Sequence, residues 1–280
     1  MQLELGATGS ITDIKKKAAA AQRQEQAARE RLLQAERERA FWDSLAIHVA
    51  AENAAQVLLL LRQGEGYLRH LKTSGDAISE VLEGIRLSAE GRARDAAAAL
   101  GRDFPAAVRA AGVEIDSTSR HPQYTFKGGF LRVDLNERDL TATVAARDGD
   151  QTLMGMDVAP LAAKVKSEIS RIFDRPLQAD ALLKSIYTAY IAALRAEGRP
   201  EGEEVPLRRI TNRLAKNLNR YAGDEFNVDL ARLVKSGELT IDDKRMHLNH
   251  TRNQRQGMLL HGLEEGGYVG LISFRKEARS

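Results

Sequence analysis

FLRVDLNERDLTATVAA, residues 130 to 146, decides the fold. Apolar side chains recur at every second position. Leu131, Val133 and Leu135 share one face, and Leu140, Ala142, Val144 and Ala146 share one in the next run. Asn136 to Asp139 carry turn-forming residues between the runs, so the stretch predicts an antiparallel hairpin. Tyr124 to Phe126 and Gln151 to Met156 extend it to four antiparallel strands, with Lys127-Gly128-Gly129 as the first turn.

On the C-terminal side of this sheet the period lengthens to that of a helix. Two helices are expected, about Ala159 to Phe173 and Gln178 to Ala196, broken at Arg175-Pro176. Their apolar rows, Leu161, Val165, Ile169 and Ile172 and then Leu183, Ile186, Tyr187, Tyr190 and Leu194, suit packing on a sheet face. GRPEGEEVP, residues 198 to 206, has the Gly, Pro and acid content of a linker.

On the N-terminal side no sheet pattern exists. Thr12 and Asp13 offer a helix cap, and no Gly or Pro follows until about residue 63, which predicts one long helix or two in line. Between Lys15 and Arg39 the only large apolar residues are Leu32 and Leu33, so this helix is expected to project. Its Ala-rich heptad makes a weak coiled-coil seam, and Leu32, Leu33, Phe41 and Trp42 are expected to form a stripe for a protein partner or a second copy. Val57 to Leu61 is apolar all round and requires burial. A second helix is expected from Asp76 through Leu100, with a short one from about Phe104 to Ala111.

Beyond the linker lies LRRITNRLAKNLNRY, residues 207 to 221, with five basic side chains and no acid. At helical spacing Leu207, Ile210, Leu214, Leu218 and Tyr221 form an apolar stripe. Arg209, Arg213, Lys216 and Arg220 line another face, flanked by Asn212 and Asn219. Gly223-Asp224, a helix of about Val228 to Lys235, and strands near 238–241, 246–250, 258–261 and 268–274 follow. Helices followed by a hairpin in so short a span have the order of a winged-helix-like module, here with two helices, and TRNQRQG, residues 251 to 257, is its expected wing tip. The chain is therefore expected to be α+β. A helical region (1–112) carries a projecting N-terminal helix, a middle antiparallel sheet with two helices occupies 113–197, and a linker (198–206) leads to a winged-helix-like module (207–280).

The 280 residues carry 42 basic and 39 acidic side chains, a net charge of +3 that says little by itself. Its distribution says more: basic and acidic residues balance at 17 each over 1–122 and 10 each over 123–197, but stand at 11 to 6 over 206–260. Positive potential thus concentrates at the basic helix, where it would steer anionic partners. The absence of Cys excludes disulfides, thiolate metal sites and Cys nucleophiles, and the longest apolar run is far too short for a membrane span. A cytoplasmic location, no membrane contact, no cofactor and no metal are expected.

Chemistry-bearing patterns are sparse. His247, His250 and His261 are the only His cluster, and the first two face opposite sides of a regular strand. Glu238, Asp242, Asp243 and Lys244 resemble a nuclease-like set of acids and Lys, but equally a polar turn. Gly128-Gly129 and Gly266-Gly267 fit hairpins, not phosphate loops.

The reading that follows is a non-enzymatic nucleic-acid-binding subunit of a multiprotein assembly, with DNA favoured over RNA. Arg209, Arg213, Lys216 and Arg220 would meet phosphates from the helix, and Arg252 and Arg255 from the wing. The alternatives are a structural adaptor docking through the N-terminal helix and a metal-dependent nuclease.

Overall fold

The computed structural model describes residues 7–73, 77–217 and 221–276, which form two compact units, Met1–Ala93 and Arg94–Ser280. The protein is α+β, with long N-terminal helices and two four-stranded antiparallel sheets. Among the described residues no helix is long and apolar enough to cross a membrane.

Among its described residues the first unit has helices and no strand. Helix α1 (Ala7–Ala50) has 44 residues, so it is about 66 Å long. It starts ahead of Thr12 and Asp13, which lie inside it and do not cap it. From residue 13 to 37 every side chain is exposed. Spaced pairs on its own surface hold it instead: Arg29 donates to Glu25 at 2.5 Å, Gln26 to Glu30 at 2.8 Å and Gln34 to Glu38 at 3.0 Å. After a turn in which Glu52 has a positive φ come α2 (Ala54–Gln63) and α3 (Glu65–Thr73). Val57, Leu58, Leu59 and Leu61 of α2 are buried, as their all-round apolar character requires, while Leu60 is half-buried.

Helix α4 (Ile78–Ala110) continues through Pro105. The sequence pattern predicts a break before Phe104; the helix persists because Leu100, Phe104 and Val108, four residues apart, are fully buried on one stripe, which outweighs the hydrogen bond that the proline lacks.

In the second unit the first sheet runs β1 (Gln123–Phe126), β2 (Leu131–Asn136), β3 (Thr141–Ala146) and β4 (Gln151–Gly155) in that spatial order. Val133 pairs with Val144 and Leu135 with Ala142, so the alternation that predicts the hairpin also fixes its register. Helices α5 (Val158–Phe173) and α6 (Ala179–Ala196) follow.

The second sheet has the order β5-β8-β7-β6: β5 (Val205–Pro206), β8 (Tyr268–Lys276), β7 (Lys244–Thr251) and β6 (Thr240–Ile241). Between β5 and β6 lie α7 (Leu207–Asn217) and α8 (Gly223–Ser236). Residues 198–206 are not a linker. Val205 is fully buried and pairs with Ile272. The Tyr190 hydroxyl donates to the Glu203 carbonyl at 2.8 Å and accepts from Gly202 N–H at 3.0 Å. One core joins Ile186, Tyr190 and Leu194 of α6 to Ile210, Phe226, Leu230, Ile272 and Phe274, so α6 belongs with the elements that follow it. Two smaller differences concern boundaries. Helix α8 begins at Gly223, five residues ahead of the expected start, and the strand expected at 258–261 reduces to a single bridge between Met258 and Val269.

Candidate nucleic-acid interface

Helix α7 divides into arcs. At about 100° per residue Leu207, Ile210 and Leu214 face the core, Arg208 and Thr211 occupy the next arc, and Asn212, Lys216, Arg209 and Arg213 the arc beyond. Burial follows this division: Leu207, Ile210 and Leu214 are at most 2% exposed. Arg209, Asn212, Arg213 and Lys216 line an open groove of about 510 Å³. The expected phosphate-facing row is therefore brought together on one side of a helix anchored by the other. Arg220, the fourth basic residue expected in that row, lies outside the described residues, as do Leu218 and Asn219.

The groove carries donors and no acidic lining residue. Arg213 and Lys216 make no ion pair among the described residues. Arg209 is engaged, donating to Glu197 at the end of α6. Nothing in the sequence pattern marks that partner, because it comes from a different helix, across residues that read as a linker.

Arg208 has a structural role. Its guanidinium donates to Asp148 Oδ1 at 3.0 Å and to the Gly257 carbonyl at 2.8 Å. Asp148 in turn accepts from the fully buried Asn227 of α8 at 2.9 Å, and Asn227 Oδ1 accepts from His261 N–H at 2.9 Å. The β3–β4 turn, α7, α8 and the segment after residue 257 are thus tied by one polar network, in which only the buried Arg208 Nε lacks a partner among the described residues.

Segment 251–257 is a tight loop with a closed base. Thr251 Oγ1 accepts from Asn253 N–H, Asn253 Oδ1 from Arg255 N–H, and the Asn253 carbonyl from Gln256 and Gly257 N–H. A Cβ at Gly257 would lie 2.6 Å from the Tyr268 Cβ and 2.8 Å from the Thr251 Cγ2, so only glycine closes the base. Residues 252 to 256, including Arg252 and Arg255, are all exposed, and neither arginine has an ion-pair partner among the described residues. Thr211 of α7 contacts the Met258 sulfur at 3.5 Å, placing the loop's exit against the arc beside the groove.

The remaining candidates scatter. In the first unit Leu32 and Leu33 are 60% and 51% exposed, whereas Phe41 and Trp42 are half-buried and pack edge-on with Tyr67 at 6.1 and 6.0 Å. The Trp42 indole N–H also donates to the Tyr67 hydroxyl at 3.2 Å. His261 is enclosed by Phe130 and Phe173, whereas His247 and His250 are exposed, and among the described residues no three His, Cys, Asp or Glu side chains are grouped to hold a metal ion. The Lys244 ammonium turns to Glu201 at 2.6 Å and the Tyr187 hydroxyl at 2.8 Å, and Asp243 pairs with Lys276 at 3.3 Å. The hydrogen bond from Lys244 holds the Glu201 carboxyl below its usual range, so this pair stays ionised at neutral pH.

No family model, curated protein or solved structure matches the chain.

Proposed function

We propose that this protein binds nucleic acid through its phosphate backbone, as a non-enzymatic subunit, with DNA as the ligand. The observation that carries this reading is the α7 groove, where Arg213 and Lys216 stand without carboxylate partners beside Arg209 and Asn212. Guanidinium, ammonium and amide donors converging with a single carboxylate, Glu197, at their edge suit phosphate oxygens. Contacts of this kind give affinity and position, not sequence choice.

The element order α6, β5, α7, α8, β6, β7, β8 supports a winged-helix-like description of this part, with α6 as a third helix and 251–257 as the wing. Helix α8 is not offered to a ligand in this reading. Asp224, Asn227 and Asp229 are buried, and Arg171 and Arg175 of the α5 region cover its acidic first turns. Backbone contact therefore falls to α7 and the loop.

Fluorescence anisotropy with a labelled 20-bp DNA tests the proposal. Reversing Arg209, Arg213 and Lys216 to Glu weakens binding by about 100-fold near physiological salt, because several phosphate contacts and their released counterions are lost together. Unchanged affinity of the folded variant refutes it.

A second reading rests on α1. Twenty-five consecutive exposed positions, 13 to 37, with Leu32 and Leu33 among them, favour an adaptor role in which a protein partner or a second copy covers the helix. The two readings use different units and are compatible in one assembly subunit. Deleting residues 1–38 abolishes assembly and spares nucleic-acid affinity if both hold.

A further inference from the structure

We infer that the ligand is double-helical, held at one backbone strand by the α7 groove and at the other by the loop at residues 251–257. This rests on the phosphate-binding reading above and adds the class of nucleic acid. Arg209 to Lys216 covers about 10 Å of helix, which spans roughly three phosphates of one duplex strand measured along its axis. A second basic element stands beside the first and is separate from it. Arg252 and Arg255 project from a loop whose exit is fastened to α7 by the Arg208 hydrogen bond to Gly257 and the Thr211 contact to Met258. Its interior is fixed by the Asn253 side chain and carbonyl.

Two cationic elements held in fixed relation match a ligand whose own charges are fixed. A duplex presents its strands at a set separation and is ordered before binding, while a single strand must be ordered to reach both elements. Tight single-strand sites offset that cost by stacking bases on aromatic rings. Here α7 reads LRRITNRLAKN and the loop TRNQRQG, with no Phe, Tyr or Trp in either. Neither element offers a base a ring to stack on, and their donors suit phosphate, which favours the preordered form.

The test compares anisotropy titrations of the full chain with a 20-bp DNA duplex and with each of its strands, at one salt concentration. The expected result is duplex binding about tenfold tighter than either strand. Arg252→Ala with Arg255→Ala weakens duplex binding about tenfold and changes single-strand affinity less than about twofold, while Lys216→Ala weakens both. These three positions are exposed, and circular dichroism and the melting temperature confirm that the variants stay folded. Equal loss on both ligands, no loss on either, or a preference for the single strand overturns this inference and leaves backbone binding standing. Failure of both ligands to bind removes the underlying reading and this inference together.

Discussion

The Arg209 guanidinium donates a hydrogen bond to Glu197, the C-cap residue of α6, so a carboxylate stands at the edge of the basic groove. Glu197 also accepts from Arg199 at 3.2 Å. The bonds from Arg209 and then Arg199 hold its carboxyl below the usual carboxylate range, so it remains charged at neutral pH. A phosphate approaching the groove competes with Glu197 for Arg209 and meets its negative charge.

Glu197→Gln is therefore expected to strengthen duplex binding by about three- to tenfold and to steepen its salt dependence, since one more cation is free to replace condensed counterions. Anisotropy titrations at several salt concentrations read both effects. Weaker binding would mean that Glu197 positions Arg209 and does not compete for it.

A different ion pair fastens α8 to α5. Asp224 is 1% exposed and accepts from Arg171 at 2.5 Å, while the same guanidinium reaches Glu168 at 2.6 Å and Glu225 at 2.9 Å. Arg171→Met leaves Asp224 as a buried charge without its partner, and the expected loss in urea unfolding is about 3 kcal/mol or more. Adding Asp224→Asn removes that charge and recovers most of the loss. A single variant as stable as the parent excludes this account of the α5–α8 packing.

The middle sheet was legible because its information is local. Leu131, Val133, Leu135, Ala142 and Val144 alternate along adjacent segments, and a one-residue slip would turn them all to solvent. The basic row of α7 was legible for the same reason, since i, i+4 and i+7 spacing needs no partner to be recognised. What could not be read is long-range. Val205 is a lone apolar residue in an acidic stretch, and only its pairing with Ile272 makes it core. Arg208 differs from Arg209 by one position and nothing in composition. Its role appears only when Asp148 and Gly257 arrive from elsewhere in the chain. The continuity of α4 through Pro105 likewise depends on what Phe104 and Val108 are buried against.

His261 gives a pH dependence. Its ring lies 5.2 Å from Phe130 and 5.0 Å from Phe173, and its buried Nδ1 has no hydrogen-bond partner among the described residues, with Glu264 at 3.9 Å. Burial lowers its pKa below the ordinary 6.5, the raising effect of Glu264 partly offsets this, and Arg147, Lys235 and Lys127 lower it further. Below about pH 6.5 the unfolded chain therefore binds a proton that the folded one refuses, and stability falls as pH drops through that window. The urea midpoint is expected to decrease between about pH 7.5 and about pH 5.5. His261→Phe, which keeps the aromatic contacts, should flatten the decrease. The same slope in the variant would assign it to other groups.

The shared core decides which part of the chain can stand alone. A fragment of residues 200–280 keeps α7, α8 and the second sheet but removes Ile186, Tyr190 and Leu194, three of the large side chains that fill their core. It also cuts away Arg171 and Arg175 from Asp224, Glu225 and Asp229. Exposed apolar surface and a buried Asp224 without its arginine together exceed the margin by which domains of this size are stable, so the fragment is expected to be unfolded or aggregated by circular dichroism. Residues 94–280 retain all of these partners and form one compact unit. That fragment is expected to unfold cooperatively in urea and to bind duplex DNA within about threefold of the full chain, because every described residue of the groove and the loop lies inside it. A soluble, cooperatively folded 200–280 fragment would show that α6 lies against the module without being needed by it. Loss of binding from a folded 94–280 fragment would place part of the nucleic-acid site in the first unit.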